Sequence, residues 1–375
     1  MKRHTSELFL LIFLVLIAHG FVSANPDSLT DVRYAYFNAR AHYGSMIIHS
    51  RAIKDIGNAN PWGLELTLGR HSATQKAWDA CNCYPKSGVI LGIWDFNKPD
   101  ILGHGFSATA FIEPVFGIHS RIPFSIRAGT GFIYLTRPYD EVINPYNFSY
   151  STRIAFPILL GVSGNFRLSS RLNMNLGLIY NHISNGGLRE PNKGINWPTI
   201  SLDLDFLPAN YHFPDRKISG WKSVAGRGMN TAVYIFGTAK QLNHEELKKY
   251  PIFGAEIRQS ARVSRLSLLS LGAEILYDGS DREEIHRDSL LHADHKKAGL
   301  MVGHSFLLGR FAFSQAFGVY LYDPYKANDP VYQRYELTYL IGRHFEAGVG
   351  LKAHRHVADF LDFRLAWRKT GRIRR

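Results

Sequence analysis

The sequence predicts an all-β fold: an antiparallel outer-membrane transmembrane β-barrel of 12 to 16 strands, sixteen by the fullest count, behind an N-terminal export signal. Three observations carry this expectation. Lys2, Arg3 and His4 precede an apolar run from Leu8 to Ala18, and Val22-Ser23-Ala24 closes it with small residues, the order of a secretory signal peptide over 1–24. Beyond it, short segments alternate apolar and polar residues with the two-residue period of a strand. Tyrosine and tryptophan recur near segment ends, at Trp62, Trp94, Tyr134, Tyr180, Tyr277, Tyr322 and Trp367, as amphipathic rings do at headgroup depth.

Composition narrows the alternatives. With 45% hydrophobic and 13% aromatic residues among 375, the chain is too apolar to be disordered. No second apolar run approaches the roughly 20 residues of a membrane-spanning helix. The net charge of +13 is spread along the chain rather than gathered in one arm, so a nucleic-acid partner is not expected, and anionic lipid headgroups or phosphates suit it better. Cys81 and Cys83, the only cysteines, would close a very small ring and form too few ligands for a strong metal site. They are read as part of a local turn.

Taken in order, alternating segments fall at 43–50, 62–70, 86–95, 104–114, 123–135, 151–166, 170–184 and 197–206, then at 230–239, 252–260, 265–277, 298–309, 311–322, 331–341, 344–354 and 357–367. Trp62, Leu64, Leu66 and Leu68 share one parity against Glu65 and Thr67. Phe106, Ala108, Ala110 and Ile112 alternate with Ser107, Thr109 and Glu113. Phe345, Ala347, Val349, Leu351 and Ala353 do so against Glu346, Gly348, Gly350, Lys352 and His354. Leu361, Phe363, Leu365 and Trp367 form the last apolar face. Short turns at Gly309 and Gly342-Arg343 belong on one rim, and the longer connections at 51–61, 135–150, 240–251 and 278–297 on the other. The stretch 207–229 breaks that scheme, being long on the short-turn side; a boundary between two units is one reading of it, though no exact internal repeat accompanies it.

The most informative segment runs from Arg171 to Phe206. Leu172, Met174, Leu176, Leu178 and Tyr180 define a lipid-facing parity, yet the same parity ends in His182 and Ser184. A histidine two residues from a serine projects beside it on one strand face, and a serine hydroxyl needs such a base to become a nucleophile. Asn185-Gly186-Gly187 follow, where glycine permits a sharp turn that can aim backbone N–H groups at an oxyanion. A pair this short also occurs by chance, as a rim histidine beside a turn serine.

His182-Ile183-Ser184-Asn185-Gly186-Gly187 followed by Pro191-Asn192-Lys193-Gly194-Ile195-Asn196 resembles the signature of the PagL-type lipid A 3-O-deacylases. These are outer-membrane barrel esterases related to acyloxyacyl hydrolases, and the whole chain is similar to their larger, Bacteroidetes-type members. The resemblance implies Ser184 as nucleophile and His182 as general base, with Asn185, Gly186 and above all Gly187 around the oxyanion. Members carry a glutamate twelve residues after the serine, and that position here is Asn196. Its amide can accept the histidine N–H and fix the tautomer, without the electrostatic support of a carboxylate. Glu190 is the alternative acid, while Asp203 and Asp205 fall on the luminal parity.

The implied reaction is hydrolysis of an ester-linked acyl chain of lipid A, with no metal or other cofactor, at the outer membrane near the extracellular leaflet. Leu176, Leu178 and Tyr180 are candidate contacts for the acyl chain, and Arg189 and Lys193 for lipid A phosphates. Residues 25–206 are then expected to form the deacylase-like barrel portion, 207–367 to extend the same barrel, and 368–375 to form a basic tail. His286, His292, Asp294 and His295 match no strong metal template. Two competing readings are another outer-membrane lipid esterase, such as a phospholipase, and a non-catalytic pore with Arg334, Glu336, Glu346 and Lys352 in its lumen. Oligomeric state is not legible.

Overall fold

The computed structural model describes residues 31–207, 211–218, 228–242, 246–288, 292–325, 329–355 and 357–372. The expected signal peptide, 1–24, lies outside them. Alternation does produce sixteen antiparallel strands, but they close as two barrels of eight. The first comprises β1 (Val32–Gly44), β2 (Trp62–Ala73), β3 (Tyr84–Asp95), β4 (His104–Phe116), β5 (Phe124–Leu135), β6 (Ile154–Arg167), β7 (Leu172–Ser184) and β8 (Ile195–Phe206). β8 returns to β1, with Phe206 opposite Phe37 and Thr199 opposite Gly44. The second comprises β9 (Gly228–Gln241), β10 (Lys249–Arg262), β11 (Ser267–Asp278), β12 (Lys296–Leu308), β13 (Phe311–Tyr322), β14 (Val331–Ile341), β15 (Phe345–His354) and β16 (Val357–Arg372). β16 returns to β9, with Phe363 opposite Gly237 and Lys369 opposite Thr231.

Residues 207–367 therefore do not extend the first barrel. Alternation reports which face of a strand is apolar, and that pattern is the same in one large barrel and two small ones. Closure depends on which edge strands meet, a long-range property of register. Two further expectations change. The first strand is Val32–Gly44 rather than 43–50, because its outward face is largely alanine (Ala35, Ala39, Ala41) while Asn38, Arg40 and His42 point inward, so the segment looks polar. The basic tail is partly strand: Arg368 to Arg372 pair with β9 along β16, and 373–375 lie outside the described residues.

Eight strands leave an interior just wide enough for side chains to fill. In the first barrel Arg40 meets Asp203 at 2.9 Å, Lys86 meets Asp205 at 2.5 Å, and Arg127 meets Glu113 at 2.6 Å. In the second, Arg334 bridges Glu274 at 2.7 Å and Asp362 at 2.5 Å, Arg258 meets Glu336 at 2.7 Å, and Lys352 reaches Glu274. Charges withdrawn from water must be paired in this way. Arg334, Lys352, Glu336 and Glu346, which the pore reading places along a channel, are buried inside a filled barrel. The outer wall carries the apolar parity, including Leu64, Leu66, Leu178 and Phe363.

The connections at 45–61, 136–153, 185–194 and 279–295 lie on one rim, the loop rim, and the short turns at 168–171, 263–266, 309–310 and 342–344 on the other. The long stretch after β8 is the passage between barrels, and its described part packs under the first one. Phe213 is buried between Tyr84 and Tyr34, with ring centroids 5.1 and 5.7 Å away, and the Tyr34 hydroxyl donates to the His212 carbonyl at 2.9 Å. On the same rim, α1 (Gln75–Cys81) leads through left-handed Asn82 into Cys83. Cys81 and Cys83 are disulfide-bonded, their Cα atoms 5.0 Å apart, where a plain turn is the sequence expectation. At the loop rim a 3-10 helix, Arg51–Ile56, inserts Ile53 and Ile56 into a cluster with Trp94, Phe96, Leu102, Tyr150, Ile183 and Trp197 that caps the first barrel. A helix α2 (Gly279–Arg287) lies at the loop rim of the second.

Candidate active site

β7 rises to the loop rim with Leu176, Leu178 and Tyr180 on its outer wall, and His182 and Ser184 continue that face. Asn181 and Ile183 point inward and are buried, Ile183 within the capping cluster. The parity expected from sequence thus places both candidate catalytic side chains on the lipid-facing side of the wall, at its rim.

Antiparallel register sets Asn196 of β8 directly opposite His182. Asn196 Oδ1 lies 2.6 Å from His182 Nδ1. An amide oxygen only accepts, so His182 carries its proton on Nδ1 and keeps the Nε2 lone pair. The line of bonds continues: Asn196 Nδ2 is 2.9 Å from His49 Nδ1, and His49 Nε2 is 2.8 Å from the Lys193 carbonyl. Each contact has a donor and an acceptor when Asn196 donates to His49 and His49 donates to Lys193. The connection after β1 brings His49 here, anchored where Ile47 N–H donates to the Asn196 carbonyl at 2.8 Å. Gly194 has φ +69°, and a Cβ there would stand 3.0 Å from His182 Cε1, so only glycine lets the chain pass this close to the imidazole.

Ser184 is held by different groups. Asn192 Nδ2 donates to its Oγ at 3.1 Å, and Gly186 N–H donates to the same oxygen at 3.0 Å. Asn192 Oδ1 in turn accepts from Asn185 N–H at 3.0 Å. The Asn185 side chain does not point at the reaction zone, contrary to its expected oxyanion role. It is fully buried, with Nδ2 donating to the Arg189 carbonyl at 2.6 Å and Oδ1 accepting Gly187 N–H at 3.0 Å. The Gly187 amide is engaged by that turn, so the donors converging on Ser184 are Gly186 N–H and Asn192. Glu190 does not meet His182; its Oε2 accepts Asn192 N–H at 3.0 Å and so shapes the loop. Asp203 and Asp205 are luminal, as their parity requires.

His49 and Asn192 were not among the candidates that sequence reasoning singled out. Nothing local points to His49, which lies 147 residues from its partner. Asn192 stands within the Pro-Asn-Lys-Gly turn, where a short amide eight residues beyond the serine was the available signal. Of the expected phosphate contacts, Arg189 is exposed and Lys193 half-buried at the rim of the site. In the histidine-rich connection, Tyr322 donates to Asp294 at 3.1 Å, and the His295 ring packs edge-on to Tyr277 at 4.7 Å. Among the described residues no group of three or more His, Cys, Asp or Glu side chains could hold a metal ion.

Two family models match the chain: lipid A 3-O-deacylase (PagL) over residues 56–205, and acyloxyacyl hydrolase, C-terminal domain (PagL_C), over residues 229–371. The first falls within the first barrel and the second within the other. Among solved structures, the chain is similar to Neisserial surface protein A, with 13% identity over 46% of this chain and 96% of that one and a TM-score of 0.31. It is similar to the outer membrane enzyme PagL, with 16% identity over 44% and 97% of the two chains and a TM-score of 0.27. It also matches Pseudomonas aeruginosa OccK8 (OprE), with 12% identity over 90% and 98% and a TM-score of 0.26. No curated protein matches it by sequence. The family models and the fold define a hydrolytic enzyme built as an outer-membrane β-barrel protein. The first barrel is similar to the lipid A 3-O-deacylase (PagL) family and the second to the acyloxyacyl hydrolase C-terminal domain (PagL_C).

Proposed function

We propose that the protein removes an ester-linked acyl chain from lipid A, the 3-O-linked chain, by serine esterase chemistry on the outer wall of the first barrel near the extracellular leaflet. His182 Nε2 takes the Ser184 proton as Oγ attacks the acyl carbonyl carbon. The negative charge on the former carbonyl oxygen is met by the Asn192 amide and Gly186 N–H, the two groups that donate to Ser184 Oγ before the reaction. The protonated His182 passes its proton to the departing sugar oxygen as the ester bond breaks. Water, deprotonated by His182, then attacks the acyl-serine, and the fatty acid leaves with Ser184 restored. Asn196 holds the tautomer throughout. The acyl chain lies along Leu176, Leu178 and Tyr180 and need not enter a barrel, while Arg189 and Lys193 face the phosphates.

The observation that supports this reading is a tautomer-fixed histidine two residues before a serine on one outer strand face, the serine oxygen receiving two hydrogen-bond donors. The test is mass spectrometry of lipid A from outer membranes containing equal amounts of the wild type or Ser184→Ala. Loss of one hydroxyacyl chain in the wild type alone is expected, and the position of the loss names the ester. Identical lipid A in both, with serine-dependent release of fatty acid from phospholipid in the same membranes, would replace lipid A by phospholipid as substrate.

A further inference from the structure

The second barrel touches the first at the catalytic turn. Resting on the reading of Ser184 as nucleophile, we propose that Gln241, on the second barrel, is a positioning residue for that turn. Gln241 ends β9 and is buried, and its amide is tied at both ends. Nε2 donates to the Glu246 carbonyl at 2.7 Å, within its own barrel's rim, while Oε1 accepts the backbone N–H of Glu190 at 3.2 Å, across the interface. From Glu190 the bonds run on to the serine: Glu190 Oε2 accepts Asn192 N–H at 3.0 Å, and Asn192 Nδ2 donates to Ser184 Oγ at 3.1 Å.

β16 completes the seat. A Cβ at Gly186 would stand 3.2 Å from Leu361 Cβ, and one at Gly187 would stand 3.1 Å from the Asp359 carbonyl oxygen. The turn therefore lies flat against the second barrel. Its glycines at φ +69° and +76° leave it many conformations when free, so an external fixture has something to select. A rigid strand end is such a fixture, and the Glu190 N–H it satisfies is a backbone donor half-buried between barrels. This gives the second barrel a part in the chemistry: it holds Asn192, and through it the nucleophile, in line with His182.

At the opposite rim Arg265 donates to the Asp79 carbonyl, an inter-barrel contact that touches no residue of the site and serves as the control. The experiment measures kcat and KM on purified lipid A, and the rate of Ser184 labelling by a fluorophosphonate. The full-length wild type is compared with Gln241→Met, Glu190→Ala, the double variant, Arg265→Ala and Ser184→Ala, all normalised to heat-modifiable folded barrel. Gln241→Met, which keeps the bulk and removes the amide, is expected to lower kcat and labelling about ten-fold with KM nearly unchanged, the size of one lost hydrogen bond. The double variant should be no slower than Glu190→Ala alone, because both interrupt one line of bonds. Arg265→Ala should match the wild type. Full kcat in Gln241→Met, multiplying effects in the double variant, or an equal fall in Arg265→Ala each overturns the proposal. Turnover that survives Ser184→Ala instead overturns the serine reading beneath it.

Discussion

Asn196 occupies the place where the family pattern has a glutamate, and its geometry separates two tasks that a carboxylate performs together. At 2.6 Å from His182 Nδ1 it fixes the tautomer as well as a carboxylate does. In the proposed reaction it brings no negative charge to offset the His182 imidazolium, which predicts weaker transition-state stabilisation. Asn196→Ala should therefore lower kcat by roughly ten-fold or more while the barrel stays folded. Asn196→Glu should raise kcat above the wild type, and steady-state turnover of lipid A in detergent micelles measures both. An Asn196→Ala variant with full turnover would remove the residue from the mechanism. At this scale the sequence was legible where placement, as distinct from role, follows from parity. His182, Ser184 and Asn196 share a face because strands alternate and neighbours lie in register. It was silent where partners arrive through the fold, as His49 does from the connection after β1. Asn185 was misread because a short amide after a serine can aim at a substrate or back at its own turn, and burial beside Ser151 and Arg189 decides for the turn.

The β7–β8 connection is the element on which the site depends, and its glycines answer to steric limits on two sides. Gly186 combines φ +69° with a near neighbour on Leu361. An alanine there carries the left-handed penalty of about 1–2 kcal/mol and pushes the turn off β16. Gly186→Ala should lose most lipid A hydrolysis while thermal unfolding of the barrels falls by only a few degrees, as circular dichroism would record. Unaltered activity would show that the turn has slack. The strands were readable from alternation almost throughout, with β1 the exception because alanine gives a faint apolar face. Residues 207–229 stood out as a break and a boundary between two units was one reading of them, but the choice was not decided by the sequence. A passage between two closed sheets and an overlong turn look alike until it is known that β8 pairs with β1.

At the scale of the whole molecule, two small barrels with packed, ion-paired interiors replace the single wide one that the strand count alone allows. Arg334 is the hub of the second, meeting both Glu274 and Asp362. Arg334→Ala leaves two buried carboxylates without that partner, a loss of about 3–5 kcal/mol for an interrupted buried pair. Differential scanning calorimetry should record a lowered unfolding temperature for the second barrel and little change in the first; a single unshifted transition would mean the network relaxes around the gap. Sixteen strands were countable in the sequence, whereas their partition was not, because closure is decided between residues as distant as Gly228 and Arg372. The placement of Ser184 on the wall rather than in the bore also decides what concentration means for such an enzyme. On the proposed function, substrate and fatty acid come and go sideways, within the leaflet, so encounters are two-dimensional. The quantity that saturates the site is then the surface fraction of substrate among neighbouring lipids. Its amount per volume is immaterial, and the permeability barrier stays sealed through every turnover.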